Sequence, residues 1–232
     1  MTAIVIQVAM PEEAEPFLAA AREASDPVTI GRAVHRGIVL GDATVVLVES
    51  GVGMVNAAAA ATGALHRYGP DDVVLVSAGS AGGLAADVRV GDVVVGTEVV
   101  NVAADARAFG YVLGQVPGMP ATYAPDQALA QALAASRVDG IRVREGAMGA
   151  GEEFVTEQLA YRLRDDFPQL VSVDMETAAV AQTAHNYGAR FAACRAVSDL
   201  CAPDSTEFDT HIDDAAGRSA RVVIDALARL TS

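Results

Sequence analysis

From Leu170 to Asp199 the chain reads LVSVDMETAAVAQTAHNYGARFAACRAVSD, and no other stretch restricts the fold as tightly. A short apolar run, 170–173, leads into a small-residue helical pattern over 176–187. Gly188 supplies the helix stop, and a second apolar run covers 191–197. A strand, a helix and a buried strand in succession belong to an α/β domain. Acids stand at the ends of these elements: Glu176 opens the helix and Asp199 closes the second strand. The Glu12-Glu13 pair follows the first strand of the chain in the same way. Clefts in α/β folds are built at such strand ends. Carboxylates gathered there, with almost no basic side chains among them, suggest proton transfer and hydroxyl binding and speak against a phosphate grip.

The remaining segments fit that class. Residues 3–10, AIVIQVAM, form an apolar run expected of a strand buried on both faces. Pro11 followed by Glu12, Glu13 and Glu15 marks a helix start. The same glutamates have a second reading as partners of the helix dipole, worth ~0.3–1 kcal/mol each. Three strand-like runs lead to Gly51, and an Ala-rich helix follows within 51–69, ending near Gly69-Pro70. Gly51-Val52-Gly53 lacks the third glycine of a dinucleotide fingerprint. Val73–Ser77 is expected to be a strand that runs into a small-residue loop, Gly79–Gly83. Such a loop either lets backbone approach a ligand closely or simply makes a tight turn. It lacks the Lys-Ser/Thr of a triphosphate-binding loop.

Two further strands are expected around Gly96. Residues 104–126 carry Gly and Pro throughout with no usable period, and a loop of that length serves as a lid, a binding loop or a partner contact. Its Phe109, Tyr111, Leu113 and Met119 need cover. Helices at 127–136 and 156–167 flank a strand at 141–147. A final helix, 213–230, keeps Ala216, Ala220, Val223, Ala226 and Leu230 on one face. No repeat, linker or boundary divides the chain, so residues 1–232 are read as a single α/β domain.

A formal net charge of −14 argues against nucleic acid and anionic membrane as partners, since both require a basic surface. The N-terminal apolar run meets acids at once, unlike a signal peptide, and no apolar window approaches the ~20 residues of a membrane span. A soluble protein of the reducing cytoplasm is expected. Cys194 and Cys201 form neither a CxxC pair nor a disulfide framework. His35, His66, His185 and His211 share no ligand spacing, so no metal or cofactor is expected. Ser50 and Ser80 sit among glycines, yet neither makes a nucleophile elbow. Arg195 places a charge inside an apolar strand and needs a partner, which Glu176 or Asp199 can supply; a purely structural ion pair is the other reading.

Ala9-Met10 followed by acids, SGVGMVNAA, SAGSAGGL, VGDVVV, AFGYVLGQVPGMP, the turn at Phe154, DMET, RAVSD and Phe208-Asp209 occur in this order over nearly the whole length. In this the chain resembles the 5′-methylthioadenosine/S-adenosylhomocysteine nucleosidases of the purine nucleoside phosphorylase superfamily. The resemblance implies a mixed, partly barrel-like central sheet flanked by helices, assembled as a homodimer, and a role in methionine salvage. It implies that Glu13 activates water, that Asp199 binds and protonates adenine, and that Glu176 holds the ribose hydroxyls with Met175 against the sugar. Phe154 and Val155 would stack on the base and pair with its edge. Arg195 and Ser198 would support these contacts, and Phe208 would wall the 5′ substituent. Ala9, Met10, Val52, Ser80, Ala81, Gly82 and Asp174 complete the implied substrate-binding set, and Phe109 and Pro117 match a loop lent to the neighbouring subunit's pocket. The sequence departs from the family pattern at Pro11, at Asp174 where glutamate is common, and at the acidic Glu152-Glu153.

These residues suit hydrolysis of the N-glycosidic bond of a 5′-substituted adenosine. Adenine leaves readily once N7 is protonated, and Asp199 among apolar neighbours is expected to have a raised pKa. The competing activity is phosphorolysis on the same fold, which needs arginine near VAMPEEAE and SAGSAGG; acids or nothing stand there. A non-catalytic nucleoside binder would be expected to lack Glu13 or Asp199.

Overall fold

A computed structural model of the chain describes residues 3–201 and 206–230, with side chains in the last helix described from His211 onward. The elements in order are β1 (Ala3–Val8), α1 (Pro11–Ala20), β2 (Glu23–Ala24), β3 (Val28–Ile30), β4 (Ala33–Leu40) and β5 (Ala43–Glu49). Then come α2 (Met54–Tyr68), β6 (Val73–Gly83), β7 (Val93–Asn101), α3 (Gln127–Ala134) and β8 (Val143–Ala150). The chain continues through α4 (Glu157–Asp166), β9 (Leu170–Asp174), α5 (Thr177–Tyr187), β10 (Arg190–Asp199) and α6 (Thr206–Leu230).

All strands join one mixed sheet in the order β10-β7-β8-β9-β6-β1-β5-β4-β2, with β3 on β4. β10 also pairs with β6, so β6, β9, β8, β7 and β10 close into a five-stranded barrel. β6 belongs to both halves. Its first residues pair with β1 in parallel, while Gly82 and Gly83 pair antiparallel with Val173 and Ser172 of β9. The expected loop at Gly79–Gly83 is therefore a continuation of the strand. Gly79, at φ 131°, lets β6 bend out of the flat sheet and into the barrel, a conformation L side chains rarely adopt. Likewise the two strands expected around Gly96 are one strand, β7, with an irregularity between Gly96 and Glu98.

Helices cover both faces. α2 and α5 pack on one side through Ala57, Ala60, Ala61, Ala64, Ala178, Ala181 and Ala184, all buried. α1, α3 and α6 cover the other through Phe17, Leu133, Val223 and Leu227. With no Trp and 5% aromatic residues, the layers fit by close approach of small side chains. α5 ends at Gly188, whose left-handed backbone returns its N–H to the carbonyls of Ala184 and His185. The last helix starts earlier than its apolar pattern indicates, at Thr206 rather than Asp213, and Leu230 leaves the buried stripe with 46% exposure. Among the described residues no helix is long and apolar enough to cross a membrane.

One core group is poorly matched to its surroundings. His35 on β4 is buried beside Tyr68, and neither ring nitrogen has a hydrogen-bond partner. Burial, aided by the charge of Arg67, lowers its pKa below the usual value of 6.5. The unfolded chain therefore takes up this proton first as pH falls. The stability due to neutral His35 is complete above about pH 6.5 and is lost progressively below it. Denaturant unfolding at pH 7.5 and 5.5 should show a smaller acid-induced loss for His35→Phe than for the parent chain; equal losses would refute the assignment.

Candidate active site

At the end of the sheet where β1, β6, β9 and β10 finish, a cavity of about 220 Å³ opens. Glu13 reaches it from the first turn of α1, where Pro11 fixes the entry. Of the two adjacent glutamates, Glu12 is exposed and suits the dipole reading, whereas Glu13 is buried. The Glu13 carboxylate accepts three hydrogen bonds: Oε2 from the Ala9 N–H at 2.8 Å, and Oε1 from the Ser80 N–H at 2.8 Å and Oγ at 2.9 Å. It lies so close to β6 that a Cβ on Gly79 would stand 2.3 Å from Oε1. The bare backbone at Gly79 thus serves both the bend and the acid.

Glu176 stands just before α5, at its N-cap position, with its carboxylate in the cavity. Its Oε1 accepts from the Gly53 N–H at the start of α2 (2.8 Å), and its Oε2 lies 3.1 Å from Arg195 Nη1. Arg195 is the largest fully buried side chain among the described residues. It also donates to Ser77 Oγ at 3.0 Å and to the Ser80 carbonyl at 3.0 Å, and its Nε lies 3.6 Å from Asp174 Oδ2. Its partners are thus Glu176 and Asp174; Asp199, the other candidate from sequence, is not among its ion pairs. Burial pushes the Glu176 carboxyl up to about 7; Arg195 and the Gly53 N–H oppose this, and the Asp174 and Glu13 charges add to it. For Arg195, burial works against the charge, but the surrounding carboxylates outweigh it and hold the pKa above its usual value.

Asp199 closes β10, where the register against β6 slips between Val197 and Asp199. Such an irregularity re-aims a side chain. Asp199 Oδ1 accepts from the Cys201 N–H at 2.8 Å, and Ser198 Oγ lies 2.8 Å from Oδ2. Cys201 holds that bond from a left-handed backbone (φ 55°), the only non-glycine positive φ among the described residues. Gly82 makes room: a Cβ there would sit 2.7 Å from Cys201 Sγ and 3.4 Å from Asp199 Oδ1.

The model of the phosphorylase superfamily matches residues 3–228. The chain belongs to that superfamily. Within the phosphorylase superfamily it is 40% identical to the 5′-methylthioadenosine/S-adenosylhomocysteine nucleosidase of Chromohalobacter salexigens, over 99% of this chain and 98% of the relative. It is 43% identical to the enzyme of the same name from Anoxybacillus flavithermus over 79% of this chain and 80% of the relative. The crystal structure of the Neisseria meningitidis nucleosidase in complex with methylthio-immucillin-A superposes with a TM-score of 0.93. That pair shares 35% identity and covers 99% of this chain and all of the other.

The phosphorylase-superfamily fold gathers nearly all of the residues singled out from sequence. Ala9, Met10 and Glu13 enter the cavity wall from the β1–α1 junction, Val52 from the turn before α2, and Ser80, Ala81 and Gly82 from β6. Phe154 and Val155 follow β8, Asp174, Met175 and Glu176 link β9 to α5, and Arg195, Ser198 and Asp199 come from β10. Phe109 and Pro117 lie outside this wall, exposed on the long loop. Phe208 falls among the residues whose side chains are not described. Val173, Cys201 and Glu153, the last noted from sequence only as a departure from the family pattern, also line the cavity without having been named as site residues. Cys201, two residues beyond Asp199, could have been found from that spacing. The Gly53 N–H is a backbone contact, and no residue type signals it.

The close approach at Gly79 has a measurable consequence. Gly79→Ala should displace the Glu13 carboxylate and, if that carboxylate moves a proton in catalysis, lower kcat by about 10²-fold or more. Circular dichroism would report whether the fold survives; a folded variant with parental kcat would show that the contact is dispensable.

Proposed function

We propose that the chain is an N-glycosyl hydrolase acting on 5′-substituted adenosines, methylthioadenosine and S-adenosylhomocysteine foremost, and that it releases free adenine in nucleoside catabolism and methionine salvage. The observation that carries this reading is the placement of Glu13, Glu176 and Asp199 around one cavity. In this reading Asp199 gives its proton to N7 as the glycosidic bond breaks, and adenine leaves as a neutral base. Positive charge then develops on the sugar. Glu176 accepts hydrogen bonds from the two ribose hydroxyls, fixes the ring and adds negative field. Glu13 takes a proton from water as the water oxygen bonds to the anomeric carbon. Met175 packs on the sugar, Phe154 on the base, and Val155 pairs with the purine edge through its backbone. Ala9, Met10, Val52, Ser80, Ala81, Gly82, Arg195 and Ser198 support or bound the substrate.

Water is favoured over phosphate as nucleophile by the contacts of Ser80. Its N–H and hydroxyl, the donors an anion would use, are already taken by Glu13. Arg195, the nearby cation, is engaged by Glu176 and Asp174. A phosphate dianion would meet carboxylate where it needs donors.

Exposed apolar side chains support a homodimer in this reading. Phe109 is 83%, Val55 76% and Val112 56% exposed, and Val52 at the cavity edge is 42% exposed. A second copy covering Phe109 and Pro117 would bury these groups and complete the wall around the 5′ substituent. Phe208 contributes to the same wall in this reading.

Chromatography should detect free adenine from methylthioadenosine at rates unaffected by added phosphate; strict phosphate dependence would identify a phosphorylase instead. Glu13→Gln and Asp199→Asn should each lower kcat by about 10²–10⁴-fold with folding intact. Light scattering should give a dimer mass, and Phe109→Ala should raise KM for the thioether nucleoside. A fully active monomer would remove the shared pocket.

A further inference from the structure

Of the acids around the cavity, Asp174 has no reacting partner in the scheme above, although it lines the cavity and is 7% exposed. Its two oxygens are used differently. Oδ1 accepts from the Glu176 N–H at 2.8 Å and the Thr177 N–H at 2.7 Å, which fixes the turn between β9 and α5. Oδ2 is buried with no hydrogen-bond donor and lies 3.6 Å from Arg195 Nε. The same guanidinium meets Glu176 at 3.1 Å.

We propose that Asp174 is a positioning residue: Oδ1 sets the turn that presents Met175 and Glu176, while Oδ2 shares the Arg195 guanidinium with Glu176, so that Asp174 governs the charge on the group that receives the ribose hydroxyls. The inference rests on the hydrolase reading only for the role of Glu176. The groups facing Glu176 are Arg195 from β10, Asp174 from β9 and Glu13 from α1, with the Gly53 N–H ahead of α2. One cation is shared in ion pairs by Glu176 and Asp174, with the Glu13 charge nearby, so each carboxylate makes it harder for the next to ionise. Burial is the largest cause and acts in the same direction, and Glu176 is pushed up to about 7. Asp174 is short enough to bond the N–H groups two and three residues ahead, the usual reach of an aspartate before a helix. It therefore builds the turn and loads the ion cluster at once.

The variants separate these tasks. Asp174→Asn keeps an oxygen for the Glu176 and Thr177 N–H groups and removes the charge. With one anion fewer, and Arg195 left to Glu176, the Glu176 pKa must fall. In the kcat/KM profile for methylthioadenosine, the acidic limb of Asp174→Asn should lie about one pH unit below the parental limb. The carboxyl ¹³C titration of Glu176, assigned by its loss in Glu176→Gln, should move down by the same amount. Asp174→Ala should shift the limb in the same direction, raise KM and lower the thermal midpoint, because the turn loses the one oxygen that accepts from both N–H groups.

A limb and a carboxyl titration that stay in place, or move up, in Asp174→Asn would overturn the proposal. So would a rise in KM alone, the mark of a direct substrate contact. Should the parent chain release no adenine from any nucleoside, the hydrolase reading fails, yet the carboxyl titration still decides the role of Asp174.

Discussion

The site depends on a guanidinium with almost no access to water. Arg195 is 2% exposed at the centre of β10, where it meets two carboxylates, a hydroxyl and a carbonyl. Removing one partner of such a buried pair costs about 3–5 kcal/mol, because the other charge is stranded. Arg195 reaches β9, the start of α5 and β6, so one side chain fixes the relative position of the elements that carry Asp174, Glu176 and Ser80. It also permits acids to sit near one another. Without it Glu176, already pushed up to about 7, would lose the charge that most opposes its burial.

Close packing serves the same end. Glu13 reaches β6 only because Gly79 presents no side chain, and Gly82 leaves the room that Cys201 Sγ takes up beside Asp199. Gly79 couples architecture to chemistry most tightly, since its positive φ turns β6 from the open sheet into the barrel at the point where Glu13 touches it. A larger residue would disturb both at once. The alanine faces of α2 and α5 bring the start of α2 close enough for the Gly53 N–H to reach Glu176.

Much of this was legible in the sequence, for physical reasons. The strand and helix over 170–199 were readable because apolar periodicity, Gly188 and the terminal acids agree. The acids were readable as a group because buried carboxylates at element ends need a purpose. The course of β6 was not readable. Residues 79–83 are small and glycine-rich, which is equally the signature of a loop, and barrel closure depends on pairings with β9 and β10 that are remote in sequence. The start of α6 was hidden because its first turns lack the apolar stripe. For Arg195, the need for a partner followed from burial alone. The choice of Asp174 over Asp199 depended on which way each side chain leaves its strand, a matter of register.

The same geometry explains why a neutral nucleophile suits this cavity. A unit negative charge 4–8 Å from one carboxylate, at an effective dielectric of about 20, meets repulsion of roughly 2–4 kcal/mol. Glu13 and Glu176 would both contribute, and the local cation is already shared between two acids. Water carries no such penalty, and in the proposed reading a carboxylate beside it takes its proton. The developing sugar cation meets the opposite balance, since the excess of acid that repels an anion attracts it. An excess of carboxylate therefore serves two ends: it disfavours phosphate in the ground state and lowers the energy of the charge that forms as the base departs.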